Sequence, residues 1–146
     1  MAEKKFERAL EMFAAALKED PGHPGAAQDF PEALVGLKNS GDDAFRQGRL
    51  EMAGKRYETV SRYLGHPAVK GKTLPFTKAE LQANTDGVSE ALMEKGLSEY
   101  RKGNLEAAIV FWKSILAYDP SHAEALRSVQ TTTTQLEYLK KINPPK

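Results

Sequence analysis

The side chains with chemistry to offer are few and scattered. Lys70-Gly71-Lys72-Thr73 ends like a phosphate-binding loop, whose backbone N–H groups wrap a phosphate while its lysine reaches over it. That motif needs four residues between its glycines, and here five separate Gly65 from Gly71 with no apolar strand before them. A basic, flexible loop is the better reading. His23, His66 and His122 each close a helical segment beside Pro or Ser. No two have the i,i+4 spacing of a helical metal pair, and the chain has no cysteine to complete a site. Turn or cap duty is expected of them, and no metal. Carboxylate pairs such as Glu90 with Glu94, or Asp42 with Asp43, could do acid–base work only in an apolar pocket that raises one member. They read as solvated faces. Trp112 and Tyr57 could stack on a ligand, but they fall on apolar helical faces and read as core. With no nucleophile elbow and no metal or dinucleotide pattern, the chain is expected to be non-catalytic and to use no cofactor.

The elements that carry these residues are helical. Phe6, Leu10, Phe13 and Leu17 recur in steps of three and four, which predicts a helix over 4–19, stopped by Pro21-Gly22. Residues 22–30 read as a connector. Asp29 with Glu32 resembles a capping box, Pro31 is tolerated in a first turn, and a helix should follow to Gln47. After a turn at Gly48-Arg49, a helix over 50–64 ends at Gly65. Residues 65–76 hold Pro67, Gly71 and Pro75 and read as a loop. Thr77 and Glu80 cap a helix toward Lys102, which Asn84-Thr85-Asp86-Gly87 could split. Gly103-Asn104 turns into a helix over 105–118. Ser121, with Glu124 in the capping-box place, begins a last helix over 122–142, followed by Pro144-Pro145. Thr131 to Thr134 is a β-favouring run within it.

The segment over 96–120, GLSEYRKGNLEAAIVFWKSILAYDP, is a helix-turn-helix unit with Ala108, Trp112 and Ile115 on one face. Diluted copies occur earlier. Laying Gly41 on Gly96 also brings Phe45 onto Tyr100, Gly48 onto Gly103, Leu50 onto Leu105, Ala53 onto Ala108, Tyr57 onto Trp112 and Val60 onto Ile115. Laying Ala9 on Ala108 brings Phe13 onto Trp112, Leu17 onto Leu116 and Pro21 onto Pro120. Fixed-period self-similarity marks a repeat protein, because one helix pair cannot bury its own apolar face and must stack on a neighbour.

In these residues the chain resembles the tetratricopeptide repeat (TPR) family. Gly96, Ala108, Trp112, Ile115 and Pro120 match its small, small, bulky, small-or-aliphatic and proline places. Gly41, Ala53, Tyr57, Val60 and Gly65 fill the same places in an earlier unit, and Ala9, Phe13, Ala16 and Pro21 match the second half of a unit. The resemblance implies an all-α fold, an α-α superhelix of stacked helix pairs. It would be a single domain made of a half unit at 4–23, units at 34–67 and 89–122, and a long C-terminal capping helix at 122–142. There are departures. Units of about 34 residues are the family's rule, but segments 24–33 and 68–88 intervene. The aromatic of each first helix is also moved one place, to Phe45 and Tyr100, which puts the rotation of the groove face in question.

The family binds partners in a groove lined by the first helix of each unit. Carried over, the resemblance implies a site at Lys38, Asp42 and Phe45, then Met93, Leu97, Tyr100 and Arg101, then Arg127 with Thr131. Met93, Leu97 and Tyr100 would form an apolar strip rimmed by Lys38, Arg101 and Arg127. Asp42 stands where the family's carboxylate clamp has an asparagine, so that clamp is not expected. The expected function is a scaffold for protein–protein interaction that holds a peptide or helix of a partner. The alternative is a structural assembly unit, or a fragment of a larger repeat protein, with Leu126, Val129, Thr133 and Leu136 as a self-association seam. Bulk properties agree with a soluble globular chain: 40% hydrophobic and 28% charged residues, with a net charge of +1. That charge gives no basic excess for nucleic acid. No apolar run reaches membrane-spanning length, so no membrane insertion is expected. The sequence does not choose a compartment: a soluble chain of this kind fits the cytoplasm or, if a signal was removed, the periplasm.

Overall fold

The computed structural model describes residues 2–143. Six α-helices and no strand occur among them: α1 (Ala2–Glu19), α2 (Pro24–Arg46), α3 (Leu50–Leu64), α4 (Lys78–Arg101), α5 (Leu105–Leu116) and α6 (Ala123–Ile142). The chain falls into two compact units, Met1–Asp86 and Gly87–Lys146, and the division lies within α4. Adjacent helices pack in pairs, α1 on α2 and α2 on α3 in the first unit, α5 on α6 in the second.

In the first unit the apolar stripe of α1 buries Leu10 and Leu17, and the Phe6 ring lies against Gly36 of α2 so closely that a Cβ there would collide with it. Farther along α2, Gly41 meets Tyr57 of α3, where an added Cβ would stand 2.8 Å from Cε1. Phe30, Leu34, Leu37 and Val60 complete this core, all essentially inaccessible to solvent.

Helix α2 is longer than its breakers suggest. The expected connector over 22–30 shrinks to a short turn, and the helix begins at Pro24. Asp29 and Glu32 are therefore not a cap; they lie inside the helix on its solvent side, and Pro31 is interior. The cap is His23, whose Nδ1 accepts from the Ala26 N–H at 3.1 Å. The reason is burial. Ala26, Phe30, Ala33, Leu34 and Leu37 share a helical face, and packing that face outweighs the hydrogen bond Pro31 cannot donate.

A further correction concerns α4, which runs unbroken through Asn84-Thr85-Asp86-Gly87. Its polar side chains bond along the helix instead of competing with it: Thr85 Oγ1 donates to the Leu81 carbonyl at 3.0 Å, and Gln82 Nε2 donates to Asp86 Oδ1 at 2.9 Å. Thr77 caps its start as expected, accepting from the Glu80 N–H at 3.0 Å. Before it, 65–76 forms no helix, anchored by the buried Val69 and Phe76.

The second unit is built on Trp112. Its indole fills the space over Gly96 of α4, and Nε1 donates to the Met93 carbonyl at 3.3 Å. Ser89 and Tyr118 share a buried hydroxyl–hydroxyl bond of 2.8 Å. Helix α6 covers α5 through Ala125 and Thr132. Its cap is His122, one residue later than expected, with Nδ1 accepting from the Ala125 N–H at 3.1 Å. Ser121 instead donates to Asp119 Oδ1. The expected stop at Pro144-Pro145 lies outside the described residues.

The sequence repeat is visible in turn geometry. At the end of α2, the Arg49 N–H bonds the Ala44 carbonyl at 2.8 Å and the Gly48 N–H bonds the Phe45 carbonyl at 3.0 Å. At the end of α4, Asn104 bonds Glu99 at 2.9 Å and Gly103 bonds Tyr100 at 3.0 Å in the same pattern. Both are Schellman turns, and their glycines take the left-handed φ values of 77° and 85° that the turn requires.

Candidate functional site

Two of the sequence-derived site residues lock onto each other. In the first unit, Lys38 Nζ lies 2.9 Å from Asp42 Oδ2 and sits over the Phe76 ring, 5.7 Å from its centroid. The Tyr57 hydroxyl donates to the other carboxylate oxygen at 2.6 Å. Burial, and then the Asp42 carboxylate, push the Tyr57 hydroxyl well above its ordinary range. Both oxygens of Asp42 are thus engaged within the fold, and the Lys38 and Asp42 side chains are only 14% and 26% exposed. Phe45 is half-buried beside them in sequence.

The second unit presents a groove. Met93, Leu97, Tyr100 and Arg101 follow one another at helical spacing on α4. Leu97 and Tyr100 form one wall of a cavity of about 390 Å³, with Arg127, Ser128, Thr131 and Thr132 of α6 opposite and Trp112 between. The Tyr100 and Trp112 rings are tilted, with centroids 6.2 Å apart, and the Tyr100 hydroxyl donates to Gln135 Oε1 at 3.0 Å. Leu97, Tyr100, Arg127 and Thr131 are therefore brought together. Met93 and Arg101 do not line this cavity. Met93 is half-buried and contributes its carbonyl to Trp112, and Arg101 is exposed.

Tyr100 also borders a second groove of about 460 Å³, lined by Gly103, Leu105, Gln135, Tyr138 and Leu139. The site expected from the sequence did not include Ser128, Thr132, Gln135, Tyr138 or Leu139. The signal was there: Arg127, Thr131, Gln135 and Tyr138 follow in steps of four, four and three, one stripe along α6. Of the expected seam, Leu126 is exposed at 36%, while Val129, Thr133 and Leu136 are half-buried.

The groove offers an apolar floor, one guanidinium, and the hydroxyls of Ser128 and Thr131, with no carboxylate in its lining. Such a surface holds an apolar side chain and satisfies nearby carbonyl or carboxylate oxygens. All three histidines accept a backbone N–H through Nδ1, including His66 from Ala68 at 3.1 Å. Each is thus a cap or turn residue with its ring held by the backbone. Among the described residues no group of three or more His, Asp or Glu is placed to hold a metal, and no helix is long and apolar enough to cross a membrane. No family model, no curated protein and no solved structure matches this chain.

Proposed function

We propose that the chain is a non-catalytic protein-interaction module of the tetratricopeptide kind, which takes a short peptide or helix of a partner protein against the groove of its second unit. One observation carries this reading. Leu97 and Tyr100 of α4 face Arg127 and Thr131 of α6 across one cavity, and these are residues that the resemblance implies for a binding groove. The repeated Schellman turns support the same reading, because they repeat the hinge of each pair at equivalent residues. Aromatic floor, cation and hydroxyl rim suit a partner segment with a bulky apolar anchor and an exposed carbonyl or acidic group.

The test is paired capture with the native chain and with a Leu97→Glu/Arg127→Ala variant, followed by titration of each purified, captured protein. Loss of at least tenfold in affinity in the variant, with an unchanged melting profile, is the expected result. Equal affinity for both chains would remove the groove from the interaction.

A second reading, self-assembly, rests on a separate observation. The end of α6 exposes Tyr138 at 64%, Leu139 at 45% and Ile142 at 54%, an apolar cluster open to solvent. Sedimentation over a wide concentration range checks it. Association abolished by Tyr138→Asp/Ile142→Asp supports this reading, and a strict monomer ends it.

A further inference from the structure

The first unit holds a larger cavity that the reading above does not use. It measures about 680 Å³, within the range of small-molecule sites. Its walls are apolar and small: Ala14 and Leu17 of α1, Pro21 of the following turn, Ala27 of α2, and Pro67 and Ala68 of the loop after α3. Alanines stand where larger side chains would fill the space.

The walls are fixed. His66 stacks on the Phe30 ring, with centroids 4.7 Å apart, and its Nδ1 accepts from the Ala68 N–H. Asp20 Oδ1 accepts from the Gly22 N–H at 3.1 Å, closing the turn that carries Pro21.

Lys18 and Lys72 belong to its lining, and no carboxylate does. Lys72 is placed there by a built turn: its N–H bonds the Val69 carbonyl at 2.9 Å, Val69 is buried, and Gly71 takes a φ of 82°. The Lys70-Gly71-Lys72 segment thus places Lys72 in the lining of an apolar pocket.

An apolar cavity with two cations and no anion matches one ligand chemistry, an apolar chain ending in a negative charge. We propose that this pocket binds a single-chain amphipathic anion of the fatty-acid type, with the acyl tail against the alanine walls and the carboxylate at Lys18 and Lys72.

The test follows backbone amides by NMR during titration with octanoate, decanoate and dodecanoate, with dodecanol as the neutral control. The expected result is saturable shift changes at Ala14, Ala27 and Ala68, with affinity rising roughly fourfold per methylene. Lys18→Ala/Lys72→Ala changes only exposed side chains. It should weaken dodecanoate roughly fivefold and leave dodecanol unchanged. Ala14→Phe should block both ligands.

Three outcomes would overturn the proposal: these amides unmoved up to the solubility of dodecanoate, the same acid-to-alcohol preference with and without the lysines, or full affinity with the cavity filled. Sedimentation with phosphatidylglycerol vesicles, while free dodecanoate leaves these amides unmoved, would also overturn it and assign the lysines to a membrane surface.

Discussion

His122 holds the first turn of α6 with a ring nitrogen, a role that any short side chain bearing an acceptor can fill. His122→Ala should lower stability by about 1 kcal/mol and His122→Asn by much less, measured by urea unfolding. A loss with Asn as large as with Ala would show that the ring matters for packing and not as an acceptor. Gly96 is a sterner case. Replacing it with Ala gains about 1 kcal/mol of helix propensity, but the new methyl would stand inside the contact distance of a rigid indole already bonded to the Met93 carbonyl. Overpacking of that kind costs about 1–3 kcal/mol, and the Trp112 bond adds to it. Gly96→Ala should therefore destabilise, with a shift in tryptophan emission. Tyr118 sets an alkaline limit. Burial pushes its hydroxyl up to about 12, against the opposing effect of the Ser89 bond and with the Asp119 carboxylate adding to the rise. Between about pH 10 and 12 the unfolded chain loses this proton and the folded one keeps it, so stability falls as pH rises through that window, by up to about 2–3 kcal/mol. Tyr57 acts in the same direction. Tyr118→Phe should flatten part of the fall without altering stability's trend at neutral pH.

The element scale shows where pattern and punctuation disagree. Residues 22–30 read as a connector and Pro31 as a first-turn residue, yet the helix begins at Pro24 and holds Pro31 in its interior, because Phe30, Leu34 and Leu37 repeat at helical spacing and bury completely. Periodicity was the stronger signal and proline the weaker one. Pro31→Ala should restore the N–H that α2 lacks at that point and stabilise the first unit by about 1–3 kcal/mol. An unchanged midpoint would mean that the helix bends around the proline at no cost. Thr77, Gly48 and Gly103 were readable because a threonine cap and a left-handed glycine turn each have a distinct residue preference. The α6 cap was misplaced by one residue, since serine outranks histidine as a cap and nothing local says which will be used. Of the groove, Leu97, Tyr100 and Arg127 came from the resemblance to the tetratricopeptide family. Thr132 and Ser128 did not, because a polar residue facing a cavity looks the same in sequence as one facing water. The unit-one cavity was invisible for a related reason: alanines and prolines mark no site until folding arranges them around a space.

At the scale of the whole molecule, α4 is the element that belongs to both compact units, with the boundary at Asp86 and Gly87. In repeat proteins each layer depends on its neighbours, so cooperativity between segments rests on the elements they share. A helix transmits such coupling well, because interrupting it in the middle costs hydrogen bonds on both sides of the break. The chain carries a single tryptophan, Trp112, which reports only on the second unit, whereas helical circular dichroism reports on both. The native chain should therefore give one denaturation midpoint by both probes. Gly87→Pro removes an N–H within α4 and sets the proline ring against the preceding turn, a cost of about 3 kcal/mol placed at the boundary. The two midpoints should then separate. The tryptophan signal should follow the second unit alone, and a further substitution in the first unit, such as Gly41→Leu against Tyr57, should move the dichroism but not the fluorescence. Coincident midpoints in the proline variant would show that coupling between the units does not depend on α4. Separate midpoints already in the native chain would show that α4 does not couple them at all, and that each unit holds its groove or cavity by its own packing.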